Sequence, residues 1–276
     1  MDFTGKVVIV TGASRGIGKA VAIALGRLGA SVACAARATD DNRLKLPGTV
    51  NETAEAVTAA GGQGLAVGCD LSSLDDIANM IETTASEFGG IDMLINNAAI
   101  TFPGDLDLTP KRFKLIMDIN VTAPLVATQL ARPYLAQSDS GRILHISSVA
   151  AAGYFPHMMA YGMSKQALEH LTVSSAAILA EDNIAVNCFR IDVPVASEGY
   201  LMNDPHGDHA SWHPTEAAAE GMLWMLAQPS SYSGRIEAMS HIAHREQIME
   251  SVRANPAMVP GGNAMISTAG GTHAEV

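Results

Sequence analysis

Apolar positions along the chain switch repeatedly between strand-like runs and helical spacing. Lys6 to Thr11 (KVVIVT) is a short, uninterrupted β-branched run, the pattern of a strand covered on both faces. After Gly12-Ala13-Ser14-Arg15-Gly16-Ile17-Gly18, the apolar residues of KAVAIALGRLG recur at helical spacing as far as Gly29. Ser31 to Ala36 predicts a second strand, and the polar stretch Ala38 to Gly48, ending in Pro-Gly, a loop. A helix over Val50 to Ala60 is stopped by Gly61-Gly62, and Leu65 to Cys69 is a third strand. Leu74 to Phe88 is an amphipathic helix, with its apolar residues at Leu74, Ile77, Met80, Ile81 and Phe88. Asp92 to Ile95 reads as a strand, Pro110 to Met117 and Val121 to Leu135 as helices, and Ile143 to Ile146 as a fifth strand. A helix running to about Ala180 precedes a sixth strand at Ile184 to Phe189; Pro214 to Ala227 and Arg235 to Met239 supply another helix and the last strand. Such alternation predicts an α/β fold, a doubly wound parallel sheet of about seven strands. It forms a single domain over residues 1–245, followed by a C-terminal helix and tail over 246–276. Beyond Asn255 neither period survives, and the tail reads as mobile.

Strand, glycine loop and helix in succession are the context in which a backbone can approach a pyrophosphate and a helix N-terminus can meet its charge. A tight turn also requires glycine for steric reasons alone; the context favours dinucleotide binding. The second strand ends Ala35-Ala36-Arg37, without the carboxylate that would hold a ribose 2′-OH, and Arg15 lies in the glycine loop. Two guanidinium groups and no competing acid point to NADP(H) over NAD(H), against the plainer reading of two solvated arginines. Asp70, just past the third strand, either meets an adenine amino group or caps the helix that starts near Ser72 or Ser73. The amides of Asn96 and Asn97 at the fourth strand's tip brace backbone, face a ligand, or do both. Asn120 lies at a helix junction, where propensity disfavours it unless it caps or its side chain acts elsewhere.

The fifth strand delivers Ser147 and Ser148, thirteen residues before Tyr161, which itself precedes Lys165 by four. That spacing stacks Tyr161 and Lys165 on one helix face. An ammonium beside a phenol favours the phenolate, giving an acid/base for a carbonyl or alcohol. Tyr and Lys at this spacing also occur as a packed ring and a solvated charge. The catalytic reading gains from position: every polar candidate falls at the carboxyl edge of the predicted sheet.

Composition narrows the partners. The net charge of −11 and the lack of a basic run exclude nucleic acid and favour a small molecule. No apolar run reaches the ~18 residues of a membrane span, and the start MDFTGKVVIV has no leader pattern. Cys34, Cys69 and Cys188 fall in predicted buried strands as reduced thiols, so the expectation is a cytoplasmic protein.

With these residues assembled, the chain resembles the short-chain dehydrogenase/reductase family over about Lys6 to Ile242, through TGASRGIG at Thr11–Gly18, NNAA at Asn96–Ala99, and the Asn, Ser, Tyr, Lys set. The resemblance implies a Rossmann-type fold and NAD(P)-dependent hydride transfer between a secondary alcohol and a ketone. It implies Asn120 holding a water, Ser148 orienting the substrate oxygen, Tyr161 as acid/base, and Lys165 on the nicotinamide ribose and lowering the tyrosine pKa. It also implies a cofactor cradle of Gly12, Ser14, Arg15, Gly16, Ile17, Gly18, Arg37, Asp70, Leu71, Asn97 and Ala98, with Val193 offering backbone groups. Arg37 is similar to the arginine of NADP-preferring members, and KLPGT and RIDVP resemble a branch with hydroxysteroid-dehydrogenase-like proteins. Homodimers or homotetramers built on the helices near Asn120 and Tyr161 are implied too. Two departures stand out: NNAA where NNAG is usual, and Ile191-Asp192 where Pro-Gly is usual, with Ala196 in place of a threonine and Ser197 beside it. On the same fold, a non-catalytic NADP sensor or scaffold, or an epimerase or dehydratase with retained cofactor, are the competing functions.

The stretch from Val193 to His213 has no periodicity and reads as a lid. Tyr200, Leu201, Met202 and Trp212, with Phe155, Met158 and Met159, supply either an apolar pocket for a hydrophobic substrate or core packing. His206, His209 and His213 match no metal template, and no metal is expected; His241 and His244 read as surface residues.

Overall fold

The computed structural model describes residues 1–203 and 208–255; the expected tail beyond Asn255, and His206, lie outside them. Strands β1 (Val7–Thr11), β2 (Ser31–Ala36), β3 (Gln63–Gly68), β4 (Met93–Asn96), β5 (Arg142–Ser148), β6 (Ala185–Ile191) and β7 (Ile236–Ala238) form one sheet ordered β3-β2-β1-β4-β5-β6-β7. Every neighbouring pair is parallel. The chain winds outward from β1 to β3, then resumes at β4 on β1's other flank. The β1–β4 boundary is therefore the switch point, where a crevice opens beyond the carboxyl ends of the strands.

The period of two along β1 sends Val8 and Val10 to one face and Ile9 to the other, and a separate core forms on each. Val8 and Val10 pack with α1 (Gly16–Arg27), α2 (Val50–Ala59), α8 (Thr215–Leu226) and α9 (Met239–Glu246). Met249 and Val252, beside and within α10 (Glu250–Ala254), join this same core. Ile9 packs with α3 (Leu74–Phe88), α5 (Ala123–Leu135) and the end of α6 (Met159–Ile178). On α3, Ile77, Met80 and Ile81 are buried as their spacing predicts, whereas Leu74, in the first helical position ahead of that stripe, is 58% exposed. No helix among the described residues is long and apolar enough to cross a membrane.

Local chemistry sets the helix starts. Thr49 caps α2, Ser73 caps α3 and Thr109 caps α4 (Pro110–Met117), each side-chain oxygen accepting a backbone N–H from the first turn. Helix α1 begins differently: Arg15 occupies its cap position without a side-chain hydrogen bond, and no acidic residue lies in its first turn. Its N-terminal dipole is left to an outside partner. Between α4 and α5 the backbone widens into one π-helical segment, Asp118–Thr122, that carries Asn120.

Strands β3, β5 and β6 shift or lengthen by a few residues, and two regions differ more from the sequence expectation. The stretch 193–213 contains a short helix, α7 (Glu198–Asn203), and is pinned at its ends by a parallel bridge between Val195 and His213. β7 spans three residues where five were expected, because Met239 opens α9 instead. Asp192, at the departure from Pro-Gly, explains that helix start. Its buried carboxylate accepts from the Ser240 backbone N–H at 2.9 Å and from the Ser240 hydroxyl. Asp192→Ala should cost about 2–3 kcal/mol in urea unfolding, because both Ser240 donors lose a charged acceptor in a buried place; an unchanged midpoint would remove this anchor from the fold.

Candidate active site

A cleft of about 630 Å³ opens at the carboxyl edge of the sheet. Its inner wall is the tip of β5 and the first turns of α6. Lys165 is 2% exposed, and its ammonium donates to the Ile146 carbonyl at 2.7 Å. Burial draws its pKa down from 10.5 to about 8, against the opposing pull of Cys188 and Glu169. One turn earlier Tyr161 faces the cleft, with Lys165 Nζ 5.5 Å from its ring centroid. The Ser148 hydroxyl lies near enough to the Tyr161 phenol to favour the phenolate. Burial outweighs that influence and pushes the phenol up to about 12. The spacing of Tyr161 and Lys165 led to the opposite direction; the lysine instead directs its hydrogen bond to β5, and desolvation of the phenol dominates. Of the two serines, Ser148 faces the cleft beside Tyr161, while Ser147 turns inward and donates to Glu169.

Asn120 takes a different place from these three. Its amide accepts from Ile100 N–H and donates to Ile100 C=O, both at 2.9 Å, and donates to Ser164 Oγ at 3.0 Å. Ser164 in turn donates to the Tyr161 carbonyl. Asn120 is 1% exposed and braces α6 against Ile100 in the loop after β4, while its neighbour Ile119 lines the cleft.

The other half of the cleft is built from Gly12, Ser14, Arg15, Gly16, Ile17 and Gly18. A Cβ on Gly18 would sit 2.4 Å from Gly12 O, and one on Gly12 2.9 Å from Ala98 Cα, so no larger residue fits this turn. Asn97 braces it, its side-chain N–H₂ donating to Thr11 O at 2.8 Å while its backbone N–H donates to Thr11 Oγ1. Of the two amides, Asn96 turns away to His145 in the interior. An unpartnered Glu198 carboxylate oxygen lies 3.4 Å from the place of a Gly16 Cβ, already settled against this uncapped helix start. An anion-accepting helix end and a turn with no room for side chains fit the phosphates of a dinucleotide.

At the far end, Arg37, Asp70 and Leu71 line the cleft. Asp70 unites its two readings: it accepts from the Ser72 N–H and hydroxyl just before α3, yet still faces the cleft. Burial works against its charge, but Ser72 and Arg37 together lower its pKa. Arg15 lines the cleft and has partners of its own. Its guanidinium donates to the carbonyls of Leu46, Pro47 and Gly48, tying down the KLPG loop, so exposed Arg37 is the guanidinium left facing outward. Val193 packs its side chain into the core, 1% exposed, and its neighbours Ile191 and Val195 line the cleft.

The apolar wall includes Phe155, Met158, Tyr200 and Met202 as expected, but not Leu201, Met159 or Trp212. Trp212 supports the wall, stacked on Tyr200 at 4.4 Å, with the His209 ring tilted against it at 4.3 Å. Sequence reasoning missed Leu44, Leu46, Ile100 and Phe102. The two leucines had a visible signal, apolar residues two apart in an otherwise polar loop; Phe102 and Glu198 had none. Among the described residues no cluster of three or more His, Cys, Asp or Glu is placed to hold a metal ion. Cys34, Cys69 and Cys188 are free and buried, and His241 and His244 are exposed.

Cradle, phenol and ammonium on one parallel sheet define a nucleotide-dependent dehydrogenase architecture. The family model for short chain dehydrogenases matches residues 6–193, and the chain belongs to that family of NAD(P)-dependent oxidoreductases. An uncharacterized oxidoreductase of Methylorubrum extorquens is 35% identical over 208 residues, 75% of this chain and 77% of its own. Hydroxysteroid dehydrogenase-like protein 2 of Bos taurus is 30% identical over 88% of this chain, which spans 59% of that relative's length. A solved short chain dehydrogenase of Mycobacterium thermoresistibile superposes with a TM-score of 0.81 at 29% identity, covering 90% of this chain and 89% of that one.

The buried lysine has a stability consequence. With its pKa at about 8 in the fold and 10.5 when unfolded, the unfolded chain binds more protons between those values, so Lys165 costs most below pH 8 and nothing above 10.5. Lys165→Met should therefore raise stability at pH 7 by about 2–3 kcal/mol, with the gain vanishing by about pH 10.5. Unfolding midpoints across that range measure it; a destabilised variant at pH 7 would show that the lysine's hydrogen bond outweighs its desolvation.

Proposed function

We propose that this chain interconverts a hydrophobic secondary alcohol and its ketone by hydride transfer, preferring NADP(H) to NAD(H). The carrying observation is Ser148 and Tyr161 together at the cleft wall beside a buried ammonium, at one end of a cleft whose other end holds the glycine cradle and Arg37. When bound, the nicotinamide ring supplies or accepts the hydride. The chain's own residues manage the oxygen. Tyr161, with its pKa at about 12, is a protonated donor at neutral pH and gives its proton to the forming alkoxide. The Ser148 hydroxyl turns to the same oxygen and orients it. Lys165 steadies the phenolate left behind and offers N–H donors to a ribose. Asn120 holds α6 in place behind Tyr161. Phe102, Phe155, Met158, Tyr200 and Met202 make the substrate end apolar and exclude water from the reacting carbon.

Arg37 carries the cofactor preference. An exposed guanidinium at the tip of β2, without a carboxylate beside the ribose position, suits a 2′-phosphate. The protein acts in the cytoplasm as a homodimer or homotetramer through α5 and α6, whose Leu125, Leu130, Met163, Val173 and Ile178 are exposed.

Tyr161→Phe should lower ketone reduction roughly 10²–10⁴-fold with cofactor affinity unchanged, read by NADPH oxidation over a panel from small β-keto esters to decalones and steroids. Reduction by the parent should hold level below about pH 7.5 and fall as the pH passes about 8, where Lys165 gives up its proton; the phenol, at about 12, imposes no limit there. A Phe variant as active as the parent would remove the acid/base role. Arg37→Ala should weaken NADPH binding roughly 10–100-fold and leave NADH nearly unaffected. Equal losses, measured by fluorescence titration, would end the NADP reading.

A further inference from the structure

Beneath the catalytic face lies an ion pair that the proposed chemistry does not use. Glu169 is one turn beyond Lys165 and two beyond Tyr161, so the three stand in a row along α6. Its side chain is 9% exposed. Arg190 on β6 meets it bidentately, Nε to Oε1 at 2.8 Å and Nη2 to Oε2 at 2.7 Å. Oε1 accepts a third bond, from Ser147 Oγ at 2.7 Å. Ser147 is the strand neighbour of Ser148 and pairs in register with Arg190 across β5 and β6.

One carboxylate thus joins three elements directly behind the site. Side chains alternate along β5, so Ser148 can reach Tyr161 only while Ser147 points inward, and Glu169 is what Ser147 points to. On the helix side, Lys165 bonds the Ile146 carbonyl, so α6 is fixed to consecutive residues of β5 at two consecutive turns. Desolvating this carboxylate is costly, and it is compensated by the bidentate guanidinium and the hydroxyl. Packing alone would be served by apolar residues of similar volume.

We propose that Glu169, clamped by Arg190, is a positioning residue that holds the Ser148-bearing tip of β5 and the ammonium of Lys165 in one frame. The inference rests on the oxidoreductase reading above. Its electrostatic side follows from the neighbours of Lys165. Glu169 and Tyr161 face it from α6, His145 from β5, and Cys188 and Arg190 from the β6 side. Burial holds His145 neutral, with a pKa of about 3, and the Cys188 thiol protonated, with a pKa of about 12. Glu169 is therefore the anion that keeps Lys165 charged toward pH 8.

The test uses the full chain, NADPH and whichever panel ketone the parent reduces, with Tyr161→Phe as control, so that a failed oxidoreductase reading shows as no tyrosine-dependent turnover in the parent itself. Glu169→Gln should lower kcat roughly tenfold or more with NADPH affinity unchanged, and should move the alkaline fall in activity about one pH unit lower. Arg190→Gln, which leaves a buried carboxylate unpaired, should lower Tm more than Glu169→Gln does. Glu169→Gln combined with Arg190→Gln should recover Tm while the pH profile stays displaced. Parental kcat and pH profile in Glu169→Gln, or recovery of Tm and profile together in the double variant, would reduce the pair to a structural tie and overturn the proposal.

Discussion

Lys165 is an ammonium buried behind the cleft, and its surroundings are arranged to keep it there. An ammonium removed from water favours losing its proton, and here its pKa falls to about 8. What keeps it in place is one strand carbonyl, Ile146 O, with a paired carboxylate one turn away. Those contacts fix how α6 lies on β5, and with that the approach of Tyr161 to Ser148. The same contacts explain why the helix holds so many small residues, Ala160, Ser164, Ser175 and Ala176 among its buried positions. A helix pressed this closely on a sheet leaves little volume for larger ones.

At the opposite end of the cleft the constraint is steric. The turn from β1 into α1 passes so close to Gly12 O and Ala98 Cα that side chains are shut out at Gly18 and Gly12. The helix that follows has no side-chain cap of its own, whereas α2, α3 and α4 each have one. A closed turn and an unsatisfied helix end favour an anion with several oxygens. The Glu198 carboxylate lying against Gly16 obeys the same electrostatics from within the chain.

The departure from the family pattern at Asp192 is structural, anchoring α9 through Ser240, and Arg15 in the glycine turn clamps the carbonyls of residues 46–48. That clamp places Leu44 and Leu46 at the cleft wall. Arg190, beside Asp192 on β6, acts in the same structural sense by closing the Glu169 pair. Residues that look like ligand contacts in a motif are thus divided between holding the frame and facing the cleft.

Much of this was legible in one dimension. β-branched runs and helical spacing located every strand and nearly every helix, and the bounds of β2 and α3 fall where the pattern placed them, because period and stop residues are local properties. The glycine turn, Ser148, Tyr161 and Lys165 were legible for the same reason: each is defined by its spacing along a single segment. Partners across segments were not. That Lys165 would spend its hydrogen bond on Ile146, that Asn120 would brace Ile100, and that Val193 would be buried depend on how separate elements dock. So does the direction of the Tyr161 pKa: spacing set an ammonium beside the phenol, but burial, which exists only once sheet and helix close over the ring, decides its proton.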